Sequence, residues 1–374
     1  MKKPVLFFIA LLLTVSLSAQ ETPHSHRVSQ RVIEFPDIPG YQTLVCDFHQ
    51  HTVFSDGNVW PSIRVLEALR DGLDAISLTD HLEYQPHKQD IPNPDRNRTY
   101  QIALKEAKNH DLIVVNGSEI TRSMPPGHTN AIFISDANKL LNNDVMKVFK
   151  EANDQGAFVF WNHPNWIAQK PDGIAELTDM HRTFIKNKWL HGIEVVNDDT
   201  YSEEALQIAL DNDLTLMGTS DIHGLIDWTF DVPEGGHRPV TLVFAKDRSE
   251  AGIKAALFNK QTVVYHNELI IGRDDFLIPL IEASITISDV KYMGKSTVLS
   301  AVIYNNSDVD LLLENLSDYT FHEHGPVIIL KSKEPLTLHI KTREKLDAVD
   351  IPFRVLNAID APKKNPVILL NFKL

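Results

Sequence analysis

The chain has 374 residues, of which 43% are hydrophobic and 23% charged, with a formal net charge of −14. These proportions are those of a folded globular protein and exclude the disordered and membrane-embedded classes. The length exceeds one ordinary core and implies two domains, or one barrel with an appendage. The acidic balance argues against a protein that holds a nucleic-acid polymer by its backbone. It does not argue against a small anionic substrate, because exposed charge is screened beyond about 8 Å at physiological salt.

In chain order, the first residues read as an export signal. Lys2 and Lys3 precede a nearly unbroken apolar run at 5–17, and Ser16, Ser18 and Ala19 supply small residues for cleavage. The run falls short of the ~20 residues of a spanning helix. Residues 1–20 are therefore expected to be removed, leaving a periplasmic or secreted protein without a membrane span. Their loss takes away two lysines and carries the formal charge from −14 to −16. With no Cys at the cleavage point, a lipoprotein anchor is not expected. Cys46 is the single cysteine, so no internal disulfide is available, and its apolar surroundings mark it as a buried structural thiol.

After a polar lead at 21–40, short apolar runs at 44–49, 75–79, 112–116, 131–134, 157–161, 192–196, 214–218 and 240–244 read as strands. Helix-period stretches at 61–71, 100–109, 143–155 and 202–212 lie between them. Pro61 is pre-set for a first helical turn and Ser202 is placed as an N-cap. Alternating strands and helices predict a parallel sheet, and seven or eight such units predict its closure into a barrel over 41–274. Beyond it, runs at 277–288, 296–304, 318–321, 327–330, 336–340 and 367–372 read as strands without long helices. The alternation in Ile285-Thr286-Ile287 and in Leu336-Thr337-Leu338 is that of half-buried strands. Residues 275–374 are expected to form a small all-β, sandwich-like domain.

The residues that carry chemistry sit at the ends of the predicted strands. Asp47-Phe48-His49-Gln50-His51 ends the first, followed by Ser55-Asp56-Gly57. Thr79-Asp80-His81 ends the second and Gly117-Ser118-Glu119 the third. His128 precedes the fourth, Asn162-His163-Pro164 ends the fifth, and Ser220-Asp221-Ile222-His223 the seventh. In a parallel barrel these ends share one face, where active sites are built. Imidazoles suit zinc, iron and manganese, while carboxylates neutralise charge and bridge ions. In an extended His49-Gln50-His51, alternate side chains point the same way, so both rings can grip one ion. A lone pair of this kind is weak; six such elements in order are not.

That ordered set resembles the polymerase-and-histidinol-phosphatase (PHP) superfamily, over about 44–266. The resemblance implies an α/β fold, a distorted (β/α)7 barrel, and a site for three divalent ions (Mn, Fe or Zn). Carried over by motif, the first ion would take His49, His51, Glu119 and Asp221. The second would share Glu119 and add His128 and His163, and the third would take His81, His223 and Asp56. Several family members have histidine where Asp56 stands, and a carboxylate there favours a harder ion such as manganese or iron. The implied activity is an exported phosphoesterase acting on a phosphodiester or phosphomonoester, with a metal-bridging hydroxide as nucleophile. Glu119 and Asp221 are its central catalytic carboxylates.

Other candidates rest on neighbourhood alone. Asp80 and Asn162 adjoin candidate ligands and are placed to orient them, or else serve as turn polarity. Arg122 and Lys170 follow ligand motifs and could contact phosphate, or else remain solvated. The aperiodic 83–98 segment follows a ligand strand and reads as a substrate-shaping loop, with His87 as a proton donor. Trp161, Trp166 and Trp228 are pocket or core. His322 and His324 form a further His-x-His without partners and read as surface residues. A small phosphorylated substrate is expected, and no nucleic-acid polymer. Two rivals stay open: a metal-dependent amide or ester hydrolase, and a binding protein with a closed structural metal site.

Overall fold

The protein is described by a computed structural model covering residues 32–374. The expected signal at 1–20 and most of the polar lead lie outside the described residues. Among the described residues, no helix is long and apolar enough to cross a membrane.

The first part of the chain builds one curled sheet. Its strands and helices run β1 (Gln42–Asp47), α1 (Pro61–Arg70), β2 (Ala75–Leu78), α2 (Arg98–Ala107), β3 (Ile113–Ile120), β4 (Thr129–Ile132), α3 (Val145–Asp154) and β5 (Phe158–Trp161). They continue with α4 (Asp179–Lys186), β6 (Gly192–Asn197), β7 (Thr200–Tyr201), α5 (Glu203–Asp211), β8 (Thr215–Thr219), α6 (Ile226–Thr229), β9 (Val240–Ala245), α7 (Glu250–Phe258), β10 (Thr262–His266), β11 (Leu269–Gly272) and α8 (Asp274–Ser284). Pro61 opens α1, and the Ser202 hydroxyl accepts from the Ala205 amide at 3.1 Å, capping α5 as its sequence predicts.

The barrel is present, but its sheet is mixed rather than parallel. β1–β2–β3 and β5–β6–β8 are parallel, whereas β4 runs antiparallel to both neighbours and β9 lies antiparallel between β1 and β10. The reversal of β4 explains a detail of the motif order. His128 precedes its strand, yet the start of an antiparallel strand lies on the rim where its parallel neighbours end. No ladder joins β8 to β9 and β10. Threonine hydroxyls bridge that seam, with Thr241 Oγ1 bonded to both Gly218 N (3.0 Å) and Gly218 O (2.8 Å), and Thr262 Oγ1 donating to Leu216 O (2.9 Å).

The run at 277–288 is a helix followed by a strand, not one strand. Leu277, Leu280, Ile281 and Ser284 are the buried positions of α8, a helical spacing that Pro279 and an apolar run obscured. The remaining strands are β12 (Ile285–Tyr292), β13 (Val298–Asn305), β14 (Leu311–Asn315), β15 (Thr320–Phe321), β16 (Val327–Leu330), β17 (Pro335–Lys341), β18 (Ala348–Val355), β19 (Ala358–Ile359) and β20 (Val367–Lys373). Two four-stranded antiparallel sheets, β12-β13-β17-β15 and β16-β14-β18-β20, form the sandwich. Their alternate residues, such as Leu299, Ala301 and Ile303 against Ile351 and Phe353, belong to one buried cluster. β19 returns to pair with β11, tying the sandwich to the barrel sheet.

Candidate metal centre

Backbone register brings the donor residues together. Beyond the ends of β1 and β8, Gln50 and Ile222 form a parallel bridge, and beyond β2, His81 bridges to Glu119. Gln50 separates His49 from His51, and Ile222 separates Asp221 from His223. Pairing the two middle residues therefore turns all four flanking side chains to one side. The fully buried Arg64 locks this pairing from beneath. Its Nε donates to His51 O (3.0 Å) and its Nη2 to Ile222 O (3.1 Å), while Glu67 balances its charge.

Four donors surround one point. His49 Nε2 lies 3.1 Å from His51 Nε2, 3.2 Å from Glu119 Oε2 and 3.1 Å from Asp221 Oδ1. His51 Nε2 lies 3.3 Å from Glu119 Oε2 and 3.0 Å from Asp221 Oδ1. Separations of this size are the edges of a tetrahedron whose corners stand about 2 Å from its centre, the length of a zinc–nitrogen or zinc–oxygen bond. A second group adjoins the first through the other oxygen of Glu119, which is 2.5 Å from His128 Nδ1. The ring of His163 stands 5.1 Å from that of His128. A third gathers around Asp56, whose carboxylate lies 3.3 Å from both His81 Nε2 and His223 Nε2 and 3.5 Å from His51 Nδ1. His81 also reaches Glu119 Oε2 at 3.4 Å, linking the groups.

Despite these close approaches, the buried atoms Asp56 Oδ1, Glu119 Oε1, His128 Nδ1, His163 Nδ1 and Asp221 Oδ1 lack a hydrogen bond of good geometry. Leaving such atoms unsatisfied is costly, and divalent ions fit them. The electrostatics point the same way. Burial opposes ionisation of Glu119, Asp56 and Asp221, but the surrounding imidazoles hold all three carboxyls below their ordinary range. Burial works against protonation of His49 and His81 too, yet Asp221 and Glu194 raise His49, and Glu119 and Asp56 push His81 up to about 11. The carboxylates demand positive charge, which protons or metal ions can supply. His163 is lowered by burial, which keeps a ring nitrogen free to ligate. His163 and Asp221 also hold left-handed backbone, at φ 28° and 49°, a strain that persists where surrounding structure enforces it.

Residues that the motif left unmarked hold the donors in place. Glu194, an acid in the otherwise apolar Gly192-Ile193-Glu194-Val195-Val196, accepts from His49 Nδ1 (2.8 Å), His163 N (2.6 Å), Asn197 Nδ2 (2.9 Å) and Thr219 Oγ1 (2.6 Å). A carboxylate in a buried strand was the available signal. Asp80 orients the His51-Thr52 segment, accepting from Thr52 N (2.6 Å), Thr52 Oγ1 (2.7 Å) and Ser55 Oγ (2.7 Å). Asn162 Oδ1 accepts from Asn130 N (3.1 Å).

Eight of the nine candidate ligands, all but the buried His49, line a single open cavity of about 590 Å³. His87, Arg122 and Lys170 are not among its lining residues. Arg122 pairs with Glu83 at 2.8 Å, and Lys170 pairs with Asp172 and Glu176. Trp166 lines the cavity; Trp161 is buried against His181, and Trp228 is exposed away from it. His324 Nε2 lies 3.3 Å from the Thr337 carbonyl, on the sandwich surface.

Comparison with known proteins agrees with this geometry. Residues 285–371 match a family described as an Ig-like domain (DUF5001). The uncharacterized protein MJ1295 of Methanocaldococcus jannaschii is 31% identical over 125 residues, 33% of this chain and 47% of that one, so the match spans about half of the relative's length. A two-domain protein from Bacteroides vulgatus containing a predicted PHP-like metal-dependent phosphoesterase is 43% identical. It covers 91% of this chain and 98% of its own, with a TM-score of 0.86. With that identity across nearly the whole of a two-domain relative, and the PHP motif residues gathered in one cavity, this chain is a metal-dependent hydrolase that belongs to the PHP family, with a C-terminal Ig-like domain.

Proposed function

We propose that this protein is an exported phosphoesterase that binds three divalent ions and prefers phosphodiesters. The observation that carries the reading is the position of Glu119, whose two oxygens reach His49, His51, His81 and His128 at 2.5–3.4 Å. One carboxylate thereby links donor sets that cannot share one ion. His49, His51, Glu119 and Asp221 would hold one ion. Glu119, His128 and His163 would hold a second, and Asp56, His81 and His223 a third. When bound, such ions polarise a phosphoryl oxygen and lower the pKa of water towards ~7.

The chain's own residues do the rest. Asp56, Glu119 and Asp221 would offset half of the charge of three divalent ions, so the loaded site keeps a net positive charge that attracts an anion. Glu194 fixes the tautomer of His49 by accepting its Nδ1 proton, leaving Nε2 as a lone-pair donor. Among the described residues no lysine or arginine lines the cavity. A diester with one negative charge is better matched to such walls than a monoester with about two at neutral pH.

The test is metal content and hydrolysis of bis(p-nitrophenyl) phosphate against p-nitrophenyl phosphate, with Glu119→Ala and His81→Ala alongside. About three metals per chain and diester turnover lost in Glu119→Ala is the expected result. Faster monoester turnover would move the assignment to a phosphatase. Bound metal without turnover of either ester would favour a carbonyl hydrolase or a non-catalytic metalloprotein. Export is checked by the N-terminal sequence of protein recovered from periplasm or medium, expected near Gln20 or Glu21.

A further inference from the structure

The cavity continues outward from the donor cluster, and its outer walls differ from one another. On one side the segment after β5 presents Trp166 and Ile167, which are 44% and 71% exposed. Trp166 is seated rather than loose, its ring 5.1 Å from that of His163 and 5.5 Å from that of His128. Asn165 adjoins it. A second part of the lining is the β6–β7 hairpin, in which Asn197 pairs with Thr200 across a two-residue tip. The tip holds Asp198 in left-handed backbone at φ 50°, with its amide donating to Thr219 O at 3.2 Å. Asn197, Asp198 and Thr200 all line the cavity.

We propose that this outer half is a binding subsite for a sugar ring esterified to the substrate phosphate. The inference rests on the phosphoesterase reading of the inner half. A flat aromatic ring and hydrogen-bonding side chains lining one cavity fit a ring with one C–H face and a hydroxylated edge. The C–H face lies on the Trp166 indole, where aromatic surface contributes beyond its area. Hydroxyls donate to the Asp198 carboxylate and exchange hydrogen bonds with Asn165 and Thr200.

Other groups fit less well. A purely apolar alcohol would use Trp166 and Ile167 but leave the hairpin wall idle. A second anionic group would meet Asp198 where, among the described residues, no lysine or arginine lines the cavity to balance it. The pairing of one apolar face with a few convergent polar groups is the usual build of a small-molecule site.

The test is calorimetric titration of the manganese-loaded chain with glucose 6-phosphate, uridine 5′-phosphate, ethyl phosphate and phosphorylcholine. At least one sugar phosphate is expected to bind roughly tenfold more tightly than ethyl phosphate, a gap of about 1.4 kcal/mol. Which of the two binds better tells a monosaccharide from a nucleoside. Asp198→Asn and Trp166→Ala are each expected to shrink that ratio by about threefold or more. The isosteric Asp198→Asn keeps the test decisive should Trp166→Ala disturb His128 and His163. Equal binding of ethyl phosphate, tighter binding of phosphorylcholine, or ratios unchanged in both variants would overturn the subsite. Turnover of bis(p-nitrophenyl) phosphate by the same preparation separates the two readings. Turnover without sugar preference removes the subsite alone, and sugar preference without turnover removes the phosphoesterase alone.

Discussion

The Glu194 carboxylate lies 2.8 Å from Nδ1 of His49, on the far side of the ring from the donor cluster. Both side chains are fully buried. This contact decides which imidazole nitrogen faces the donor cluster, since a proton held on Nδ1 leaves the lone pair on Nε2. Glu194→Gln keeps an acceptor but loses the charge, and is expected to weaken metal binding by about 10–100-fold. Metal titration followed by calorimetry or by mass spectrometry of retained ions reads it. An unchanged affinity would show that His49 is oriented by packing alone.

Gly57 sits where a side chain has no room. A Cβ there would stand 2.6 Å from both His51 C and Thr52 N, backbone atoms that cannot swing away. Gly57→Ala is therefore expected to push the Ser55-Asp56 turn off the His49-Gln50-His51 segment and move Asp56 from His81 and His223. Fewer ions per chain should be retained, with melting temperature lowered by a few degrees. Full metal content in this variant would mean that the turn can shift without carrying Asp56.

Arg238 is completely buried and holds Asp71 at 2.7 Å and Asp47 at 3.2 Å. Asp47 in turn accepts from the Ser220 hydroxyl at 2.6 Å, so this ion network connects the end of β1 to the residue before Asp221. Arg238→Met leaves the buried Asp47 without its cation and Asp71 with Arg70 alone, and should cost about 3–5 kcal/mol in urea denaturation. Adding Asp47→Asn should return part of the loss. If the single variant unfolds at the wild-type midpoint, the network contributes no stability.

Acid and base act on the metal-free protein in opposite senses. Asp56, Glu119 and Asp221 are depressed by their imidazole neighbours, against the pull of burial, so their contribution is present above pH ~4 and lost as pH falls. His49 and His81 are raised despite burial. Their contribution is complete below pH ~6.5 and fades as pH climbs towards the folded value, about 11 for His81. The cluster should therefore stabilise the metal-free chain most between about pH 4.5 and 6.5. Metal ions displace the imidazole protons, so the rise in melting temperature on adding manganese to chelator-treated protein should grow from about pH 5.5 to 8. A rise independent of pH would mean that these rings are not ligands.

The donor set was legible in the sequence because ligand chemistry restricts residue type. His49-Gln50-His51, Glu119, His163 and Asp221-Ile222-His223 are few, polar and placed where apolar runs stop. The sandwich was legible by alternation at 336–340, whereas α8 was not, because an apolar run with a proline has no distinct period. Glu194 showed only as an acid within a strand, and nothing local gave its partner 145 positions away.

What the sequence by itself determined was therefore the barrel-plus-sandwich class, from local pattern, and the candidate ligands, from residue chemistry together with the ordered motifs that resemble the PHP family. Tertiary structure alone decided the reversal of β4 and the buried Arg64 and Arg238 beneath the ligand segments. It also placed Trp166 and Asp198 in the lining of one cavity and left His87, Arg122 and Lys170 off that lining. The reason is physical: strand direction, ion pairing and cavity shape depend on contacts between residues far apart in the chain, and no local spacing encodes them.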